Sequence, residues 1–280
     1  MNVALLIDRP KANDFPGYDM GPVLLGMPHL VLNGLSETWL LRELGHRHWL
    51  LLARMAGRKV PDFIDQQGNT VYAAFRSVKI VGTTFHRARE NDLLHIRTSL
   101  ARISRTQVRS SHELLIGSTS IGVVTMISVF VHRKGSSSNH CVARVEISGL
   151  PPIQSSPVRP PSRLPANRPP FDIGRPHTCL HYTPCPSQDF NGAGFLYFTN
   201  FVAFSDRVEW AVNPIFARDA TTVQREIAYY ANLDPGETIA VRLVGSGYDA
   251  TGWHHHCRIE RTSDGVVLAD IWTVKRFHGG

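Results

Sequence analysis

The sequence has little cysteine and no long hydrophobic run. Its four cysteines are scattered over 280 residues, and this pattern argues against a disulfide framework. No apolar segment approaches the length that spans a membrane. The N-terminal segment MNVALLIDRPK is interrupted by Asp8 too early for a signal peptide. We therefore expect a cytoplasmic protein that does not cross a membrane.

Motifs of several large enzyme classes are missing as well. The sequence contains no G-x-S-x-G elbow and no P-loop, and its GAG triplet at 192–194 lacks the third glycine of a dinucleotide-binding fingerprint. Two clusters of histidine and cysteine, at 177–185 and 254–257, lack the paired short spacings of a structural zinc site. We therefore expect neither a metal nor a bound cofactor.

Acidic residues are scarce in the first half of the chain. Up to residue 150 there are 18 Lys and Arg residues against 11 Asp and Glu residues, so the net charge of +7 arises there. Arginines alternate with apolar residues between 87 and 109. They could bind phosphate groups or an acidic protein surface, or form a solvated strand face. No nucleic-acid recognition motif accompanies them, which argues against binding to nucleic acid.

The stretch 189–210, DFNGAGFLYFTNFVAFSDRVEW, carries the strongest local pattern. Its apolar residues recur at the spacing of one helix face: Phe201, Phe204, Val208 and Val212. The glycine-rich turn at 191–194 precedes this predicted helix. Glycine lets a backbone approach a ligand closely, and the first turn of a helix has N–H groups without intrahelical partners. The stretch therefore suits a polarised carbonyl.

The order of elements repeats along the chain. Strand-like segments with turns at 234–236 and 263–265 follow the predicted helix. The first half has a Gly/Pro-containing entry, a long helical pattern from 35 to 55 closed by Gly57, and four strand-like runs. The proline-rich segment 151–170 cannot pack as a helix or a central strand. We predict an N-terminal domain at 1–150, a linker at 151–170 and a C-terminal domain at 171–280.

The pattern D-x-N-G-A-G-x-L-Y-F-x-N-F-x-x-x-x-D at 189–206 resembles the signature of the 4-hydroxybenzoyl-CoA thioesterase branch of hot-dog proteins. The resemblance implies a catalytic Asp in the loop, where this chain has Asn191. An amide can orient and donate, but it cannot act as a carboxylate base. With the repeated order of elements, the resemblance implies an α+β double hot-dog, with two antiparallel sheets each wrapped on a long central helix. Two α+β domains without shared symmetry are the alternative.

The segment GMPHLVLNGLSETWLLRELGHRHW at 26–49 adds a narrower resemblance. It is similar to the double-hot-dog acyltransferase/decarboxylase of the leinamycin polyketide pathway and its relatives. That family takes a methylmalonyl unit from coenzyme A, decarboxylates it and delivers a propionyl thioester to an acyl carrier protein. The resemblance implies acyl-CoA and an acyl carrier protein as partners, with coenzyme A or phosphopantetheine as the substrate carrier. It gives a central role to a tyrosine beyond the first helix, here Tyr72.

Tyr72, Asn191 and His29 are the candidate catalytic residues. Tyr72 could protonate an enolate, accept the acyl group or hold the substrate. Asn191 could serve the site or be an ordinary turn-forming residue. His29, which precedes the first helix, could shuttle a proton or tie down its turn.

Backbone N–H groups of the loop are the candidate substrate contacts, namely those of Gly192, Ala193 and Gly194, because donors aimed at the thioester oxygen stabilise developing charge. Asn33 and Asn200 are either substrate contacts or N-caps of the two helices. Carboxylates on the predicted helices, at 37, 43, 206 and 209, could replace the missing loop Asp or could be solvated or capping charges.

These observations favour an acyltransferase/decarboxylase that loads a short acyl unit onto a carrier protein in polyketide-type biosynthesis. A hot-dog thioesterase or dehydratase and a non-catalytic acyl-carrier-binding module are the alternatives. A homodimer is a possible assembly.

Overall fold

The computed structural model describes residues 20–135, 138–153, 178–249 and 252–277, and the backbone of residues 15–16. The first half contains these elements: β1 (Phe15–Pro16), β2 (Val23–Leu24), β3 (Leu30–Val31), β4 (Gly34–Leu35), α1 (Glu37–Met55), β5 (Tyr72–Val81), β6 (Leu93–Arg102), β7 (Gln107–Ile116), β8 (Thr119–Arg133) and β9 (Val142–Arg144). The second half contains β10 (Cys179–Tyr182), α2 (Pro186–Asp189), α3 (Asn200–Val212), α4 (Pro214–Asp219), β11 (Ala220–Tyr229), β12 (Ile239–Asp249), β13 (Gly252–Arg261) and β14 (Val267–Phe277). Short 3-10 turns lie at Met27–His29 and Phe85–Arg87.

The main sheet formed by the described residues has an equivalent order of strands on both sides of its centre. Its order is β1-β6-β7-β8-β5-β11-β14-β13-β12-β10, with β2 also on β6 and β9 on β8. The halves meet where β5 and β11 pair antiparallel, from Val81 opposite Gln224 to Ser77 opposite Ala228. Each half thus has at the centre the first strand after its helices, β5 or β11, followed by its last long strand, β8 or β14. The repeated order predicted from sequence is confirmed in this arrangement.

Two details of the predicted architecture are wrong. The described strands of the two halves form one continuous sheet and not two separate sheets. This is because β5 and β11 pair with each other through their backbones, so that neither strand is left as a sheet edge. Only α1, with 19 residues, is a long helix, whereas α3 has 13 residues and ends at Val212 before Pro214 starts the short helix α4. A proline in the first turn of α4 cannot continue α3, since it has no N–H to donate.

Ser36 caps α1, and its Oγ accepts the N–H of Trp39 at 3.2 Å. Asn33 is therefore not the N-cap, and Leu35 lies in β4 outside the helix. The side chain of Asn33 instead donates from Nδ2 to the carbonyl oxygen of Ala220 at 3.2 Å. It ties the β3–β4 hairpin to the start of β11.

The predicted helix face of the second half is confirmed in α3. Phe201, Phe204 and Val208 are buried, and they join a core that includes Leu40 and Leu44 of α1. Each such side chain stabilises the fold by about 1.5–3 kcal/mol when it is removed from water.

Asn200 is the first residue of α3 and not its N-cap, a position that Thr199 occupies. Its side chain is buried and reaches outside the helix. Nδ2 donates to the carbonyl oxygen of Gln188 at 3.2 Å, and Oδ1 accepts from Nη2 of Arg42 at 3.2 Å. Asn200 therefore joins α3 to α2 and to α1.

A buried set of charges, the Arg225 network, connects both helices to the sheet. Its members are Glu37, Asp206, Glu209, Arg225, His255 and Lys275. Arg225 is fully buried, with Nε 2.9 Å from Glu37 Oε2 and Nη2 2.9 Å from Asp206 Oδ1. Glu37 and Glu209 are thus paired in the interior, where the solvated alternative is wrong, and Asp206 is paired while its side chain keeps 44% exposure. The fourth, Glu43, pairs with Arg47 at 2.7 Å.

Glu209 is the most enclosed member of the Arg225 network. Its side chain is 0% exposed, with His255 Nε2 at 3.0 Å and Lys275 Nζ in contact. Burial would raise the pKa of Glu209, but the charges of Lys275 and Arg225 and the hydrogen bond from His255 bring it below the ordinary value. Burial lowers the pKa of His255. The imidazole is therefore neutral near pH 7.

Most of the proline-rich segment 151–170 lies outside the described residues, so the domain boundaries stay a prediction. Among the described helices, none combines the length and the hydropathy needed to cross a bilayer.

Replacement of Arg225 by Met should destabilise the fold strongly, because it leaves the buried carboxylate of Glu209 short of a cation. We expect the free energy of unfolding, measured by urea denaturation, to fall by about 3–5 kcal/mol. Arg242→Met is the matched control. Arg242 Nε lies 3.0 Å from Glu260 Oε2 with the arginine side chain 47% exposed, so its loss should cost less than about 1 kcal/mol. Equal effects of the two changes would contradict the structural role of the network.

Candidate functional site

A cavity of about 800 Å³ lies between the two helices and the central strands. We call it the Tyr72 cavity. The middle of α1, the start of α3, the start of β5 and the end of β8 form its walls, and aromatic side chains are prominent among them: Trp49, Tyr72, Phe75, Phe195, Tyr197 and Phe198. None of its described lining residues is an Asp or a Glu. Its volume and lining are typical of a site for a largely apolar ligand.

Gly45 in the middle of α1 allows the aromatic wall to form. A Cβ atom at this position would lie 3.0 Å from the ring of Phe198, closer than side chains pack. Phe198 in turn packs on Phe75, with ring centroids 4.2 Å apart. Glycine inside a helix costs about 0.5–1 kcal/mol relative to alanine, and the close approach of Phe198 is the physical reason for it here.

Tyr72, the first residue of β5, is adjacent to Arg133 at the end of β8. Arg133 Nη1 lies 3.5 Å from Tyr72 Oη, a long hydrogen bond in which the guanidinium donates. The hydroxyl hydrogen of Tyr72 is then free to donate to a ligand. The edge of the Tyr72 ring meets Phe195, with centroids 5.3 Å apart.

Arg133 is held by neutral groups. Nη2 donates to Asn139 Oδ1 at 2.8 Å and also to the carbonyl oxygen of Ala193, and the guanidinium lies 4.1 Å from the ring centroid of Phe195. Within the part of the chain that the structure describes, no carboxylate forms an ion pair with it. The half-buried cation therefore favours a negative charge, or a developing one, beside Tyr72.

The loop 191–194 is shaped by the side chain of Asn191. Its Oδ1 accepts the N–H groups of Ala193 at 3.0 Å and of Phe195 at 3.1 Å, and Gly194 N–H bonds to the Asn191 carbonyl at 2.8 Å. Gly194 has a φ of +76°, which favours glycine. The N–H groups of Ala193 and Gly194 are thus used inside the loop, contrary to the donor role expected for them. Asn191 Nδ2 remains as a donor at this wall.

His140, which sequence reasoning missed, also lines the Tyr72 cavity. Its Nε2 lies 2.8 Å from Glu237 Oε2, and the same oxygen accepts the N–H of Asp234 at 2.6 Å. A carboxylate that fixes an imidazole in this way prepares the other ring nitrogen for proton transfer. No spacing in the sequence could reveal the pair, because His140 and Glu237 are 97 positions apart.

The ligand atoms of His140, Asp234 and Glu237 lie within 4.8 Å of one another. The carboxylate of Asp234 is already engaged by the N–H of Asn139 and the hydroxyl of Ser138, both at 2.7 Å. These hydrogen bonds lower the pKa of Asp234, against the opposite effect of burial. The set serves as a hydrogen-bonded group that positions His140.

His48 is a wall residue of different character. Its two ring nitrogens lie 2.8 Å from the hydroxyls of Ser110 and Ser128. Burial lowers the pKa of His48 to about 3, so the imidazole is neutral near pH 7. His48 therefore completes the core under the cavity and is not a candidate base.

The structure brings only some of the sequence-predicted residues together. Tyr72, Asn191, Gly192 and Ala193 line the Tyr72 cavity, and Gly194 adjoins it through a bond from Asn139 Nδ2 to its carbonyl oxygen at 2.6 Å. Asn200 lies behind the wall.

His29 has the structural role that was the alternative to proton transfer, because it ties down its turn. Its Nδ1 accepts the N–H of Gly26 at 2.8 Å, and its ring meets Trp39 edge-on with centroids 4.6 Å apart. The ring closes the 3-10 turn at the entry to α1, outside the lining of the Tyr72 cavity.

A second cavity, of about 740 Å³, is lined by Asn33 and by residues of the Arg225 network. We call it the Asp206 cavity. Burial raises the pKa of Asp206 to about 6, although Arg225 opposes this shift and the side chain keeps 44% exposure. Asp206 is thus the most exposed carboxylate of the network.

The sequence matches no protein-family model and no curated protein. Solved structures do share its fold. An acyl-ACP thioesterase from Bacteroides thetaiotaomicron aligns with a TM-score of 0.62 at 13% identity, over 91% of this chain and 96% of that one. A 12:0-ACP thioesterase from Umbellularia californica aligns with a TM-score of 0.65 at 11% identity, over 92% of this chain and 93% of that one.

These alignments extend over both halves of the present chain. At such low identity they establish the fold and leave the reaction open. The chain has the α+β double hot-dog fold seen in acyl-ACP thioesterases.

Proposed function

We propose that this protein is an acyl-thioester hydrolase whose substrate binds in the Tyr72 cavity. One observation carries the proposal: the hydroxyl of Tyr72, backed by Arg133, and the imidazole of His140, oriented by Glu237, line the same aromatic cavity. The fold agrees with it, because the solved structures that share this fold include thioesterases.

Tyr72 would stabilise the charge that forms during hydrolysis. When water adds to the thioester carbonyl, negative charge moves to the carbonyl oxygen. The hydroxyl of Tyr72 can donate to that oxygen while it accepts from Arg133. Removal of one such donor typically lowers the rate by about 10²- to 10³-fold.

His140 would supply the base that the loop lacks. Asn191 cannot remove a proton, and no described carboxylate lines this cavity. The imidazole of His140 takes a proton from water as the oxygen attacks the carbonyl carbon. It returns the proton to the sulfur when the C–S bond breaks, which leaves a free acid and a thiol.

The substrate carrier is coenzyme A or the phosphopantetheine of an acyl carrier protein in this proposal. Arg76 and Arg144 line the Tyr72 cavity, and Arg144 is exposed. Arginine binds phosphate oxygens through its planar fork of donors. The basic excess of the first half would then contribute to binding of the carrier.

Decarboxylative acyl transfer is the second candidate, and the environment of Arg133 favours it. A half-buried guanidinium without a carboxylate partner among the described residues could hold the carboxylate of a malonyl-type thioester. After loss of CO2, the enolate oxygen would accept from Tyr72, which could then return a proton to carbon or pass the acyl group onward. Asn191 Nδ2 could add a donor to the same oxygen.

Product analysis separates the two reactions. We would incubate the protein with decanoyl-CoA and with methylmalonyl-CoA, with and without a phosphopantetheinylated carrier protein, and follow all masses. Hydrolysis predicts free acid and CoA with the carrier unmodified. A carrier that gains propionyl mass from methylmalonyl-CoA only in the presence of the protein would establish transfer in its place.

Tyr72→Phe should reduce kcat/KM for the thioester by about 10²- to 10³-fold, because it removes the donor and keeps the ring. Thermal unfolding should stay close to wild type, since the ring contact with Phe195 is preserved. Tyr248→Phe, at a tyrosine outside the cavity, is the matched control and should leave the rate unchanged. An unaltered rate in Tyr72→Phe would remove Tyr72 from the chemistry.

His140→Ala should lower kcat by about 10²- to 10⁴-fold, the range for a general base. Glu237→Gln keeps a hydrogen-bond acceptor for His140 but loses the negative charge, so it should lower kcat by less than His140→Ala does. A wild-type kcat in Glu237→Ala, which removes the acceptor altogether, would contradict this arrangement.

A further inference from the structure

The Asp206 cavity has the same construction as the Tyr72 cavity. The Tyr72 cavity lies between the middle of α1 and the start of α3, against the two strands of its half that lie nearest the sheet centre, β5 and β8. The Asp206 cavity lies between the middle of α3 and the start of α1, against the corresponding strands β11 and β14. The sheet order, which reads the same outward from β5–β11, makes two such crevices equivalent in position.

The polar end of the Asp206 cavity is the N-terminus of α1. Glu37 and Thr38 line it, and their backbone N–H groups have no hydrogen-bond partner among the described residues. The first N–H groups of a helix attract a carbonyl oxygen or an anion. Thr221 lines the same cavity and is 6% exposed, and its hydroxyl oxygen has no partner in the described structure. A buried hydroxyl without a hydrogen-bond partner can form a hydrogen bond with a ligand.

The other end of the Asp206 cavity is apolar. Leu180, Tyr182 and Trp210 line it, and Val31 and Leu32 of the β3–β4 hairpin stand at its rim with 56% and 92% exposure. Arg207 lies over the ring of Tyr182, at 5.8 Å from the centroid. An apolar chain that ends in an oxygen acceptor fits these two ends.

The charges that line the Asp206 cavity are of both signs. The carboxylates of Glu37 and Asp206 lie there together with the cations of Arg207, Arg218 and Lys275. Glu37 and Asp206 are already paired with the buried Arg225, and Lys275 with Glu209. The backbone N–H groups at the start of α1 and the hydroxyl of Thr221 are therefore the groups that a ligand oxygen would contact.

We propose that the Asp206 cavity is a second binding site, for an acyl group held as a thioester or ester, with the carbonyl oxygen at the N-terminus of α1. The proposal does not depend on which reaction occurs in the Tyr72 cavity. A single chain would then bind two acyl groups at once.

The probe is 2-oxodecyl-pantetheine, which keeps the carbonyl but has a methylene between it and the sulfur, so it cannot be hydrolysed. Trp210 lines the Asp206 cavity with 55% exposure, and its fluorescence reports occupancy. We expect a saturable fluorescence change in the wild type that is lost in Trp210→Phe. Calorimetry should give two probe molecules per chain.

Two blocking variants assign the sites. Ala211 lines the Asp206 cavity and is exposed, so Ala211→Phe can fill that cavity without a change in the core. Ala74 lines the Tyr72 cavity on β5, and Ala74→Phe is the matched block there. We expect Ala211→Phe to weaken the Trp210 signal about tenfold or more and to reduce the stoichiometry to one, with thioester hydrolysis unchanged. Ala74→Phe should keep the Trp210 signal.

Several results would overturn the second site. They are a stoichiometry of one in the wild type, a signal that persists in Trp210→Phe, and binding by Ala211→Phe that equals the wild type. Loss of all binding in Ala74→Phe would confine the probe to the Tyr72 cavity, which would leave the proposed function standing and remove this proposal alone.

Discussion

Backbone pairing between β5 and β11 is the interaction on which the rest of this structure depends. It places the first strand after the helices of each half at the centre of one sheet. The helices α1 and α3 then pack on the same face of the sheet, and the start of each helix lies beside the middle of the other. Both cavities lie where the start of one helix, the middle of the other and the central strands come together. A change that opened the junction would disturb the Tyr72 and Asp206 cavities together.

The two cavities differ in how they handle charge. In the Tyr72 cavity, Arg133 is a cation held by neutral acceptors, and the described wall has no carboxylate. In the Asp206 cavity, the carboxylates of Glu37 and Asp206 line the wall together with Arg207, Arg218 and Lys275. Because charge strongly affects ligand preference in a partly dehydrated space, equivalent positions in the fold have acquired different electrostatic character.

Sequence reasoning succeeded where the determinants are local. The spacing of Phe201, Phe204 and Val208 predicts a helix, and the structure has one there. It failed where distant contacts decide. Asn33 has a suitable side chain for a cap, yet Ser36 is the residue in place, and the burial of Glu209 depends on Lys275 and on strands far along the chain.

The same distinction between local determinants and distant contacts applies to the candidate site. Tyr72 and the loop 191–193 could be proposed from a resemblance of short motifs, and they do line one cavity. The Arg133 contact and the His140–Glu237 pair bring together residues 61 and 97 positions apart. No local pattern encodes such pairs, since any spacing in sequence is compatible with contact across a sheet or between loops.

The joining of both halves in one polypeptide has an evolutionary consequence. In an assembly of two identical subunits related by a two-fold axis, any substitution appears in both crevices, so the two cannot diverge. In this chain each crevice is encoded by its own residues, and a mutation such as one at Gly45 alters only one of them directly. The protein can therefore keep an ancestral chemistry in one crevice while the other is free to acquire a different ligand.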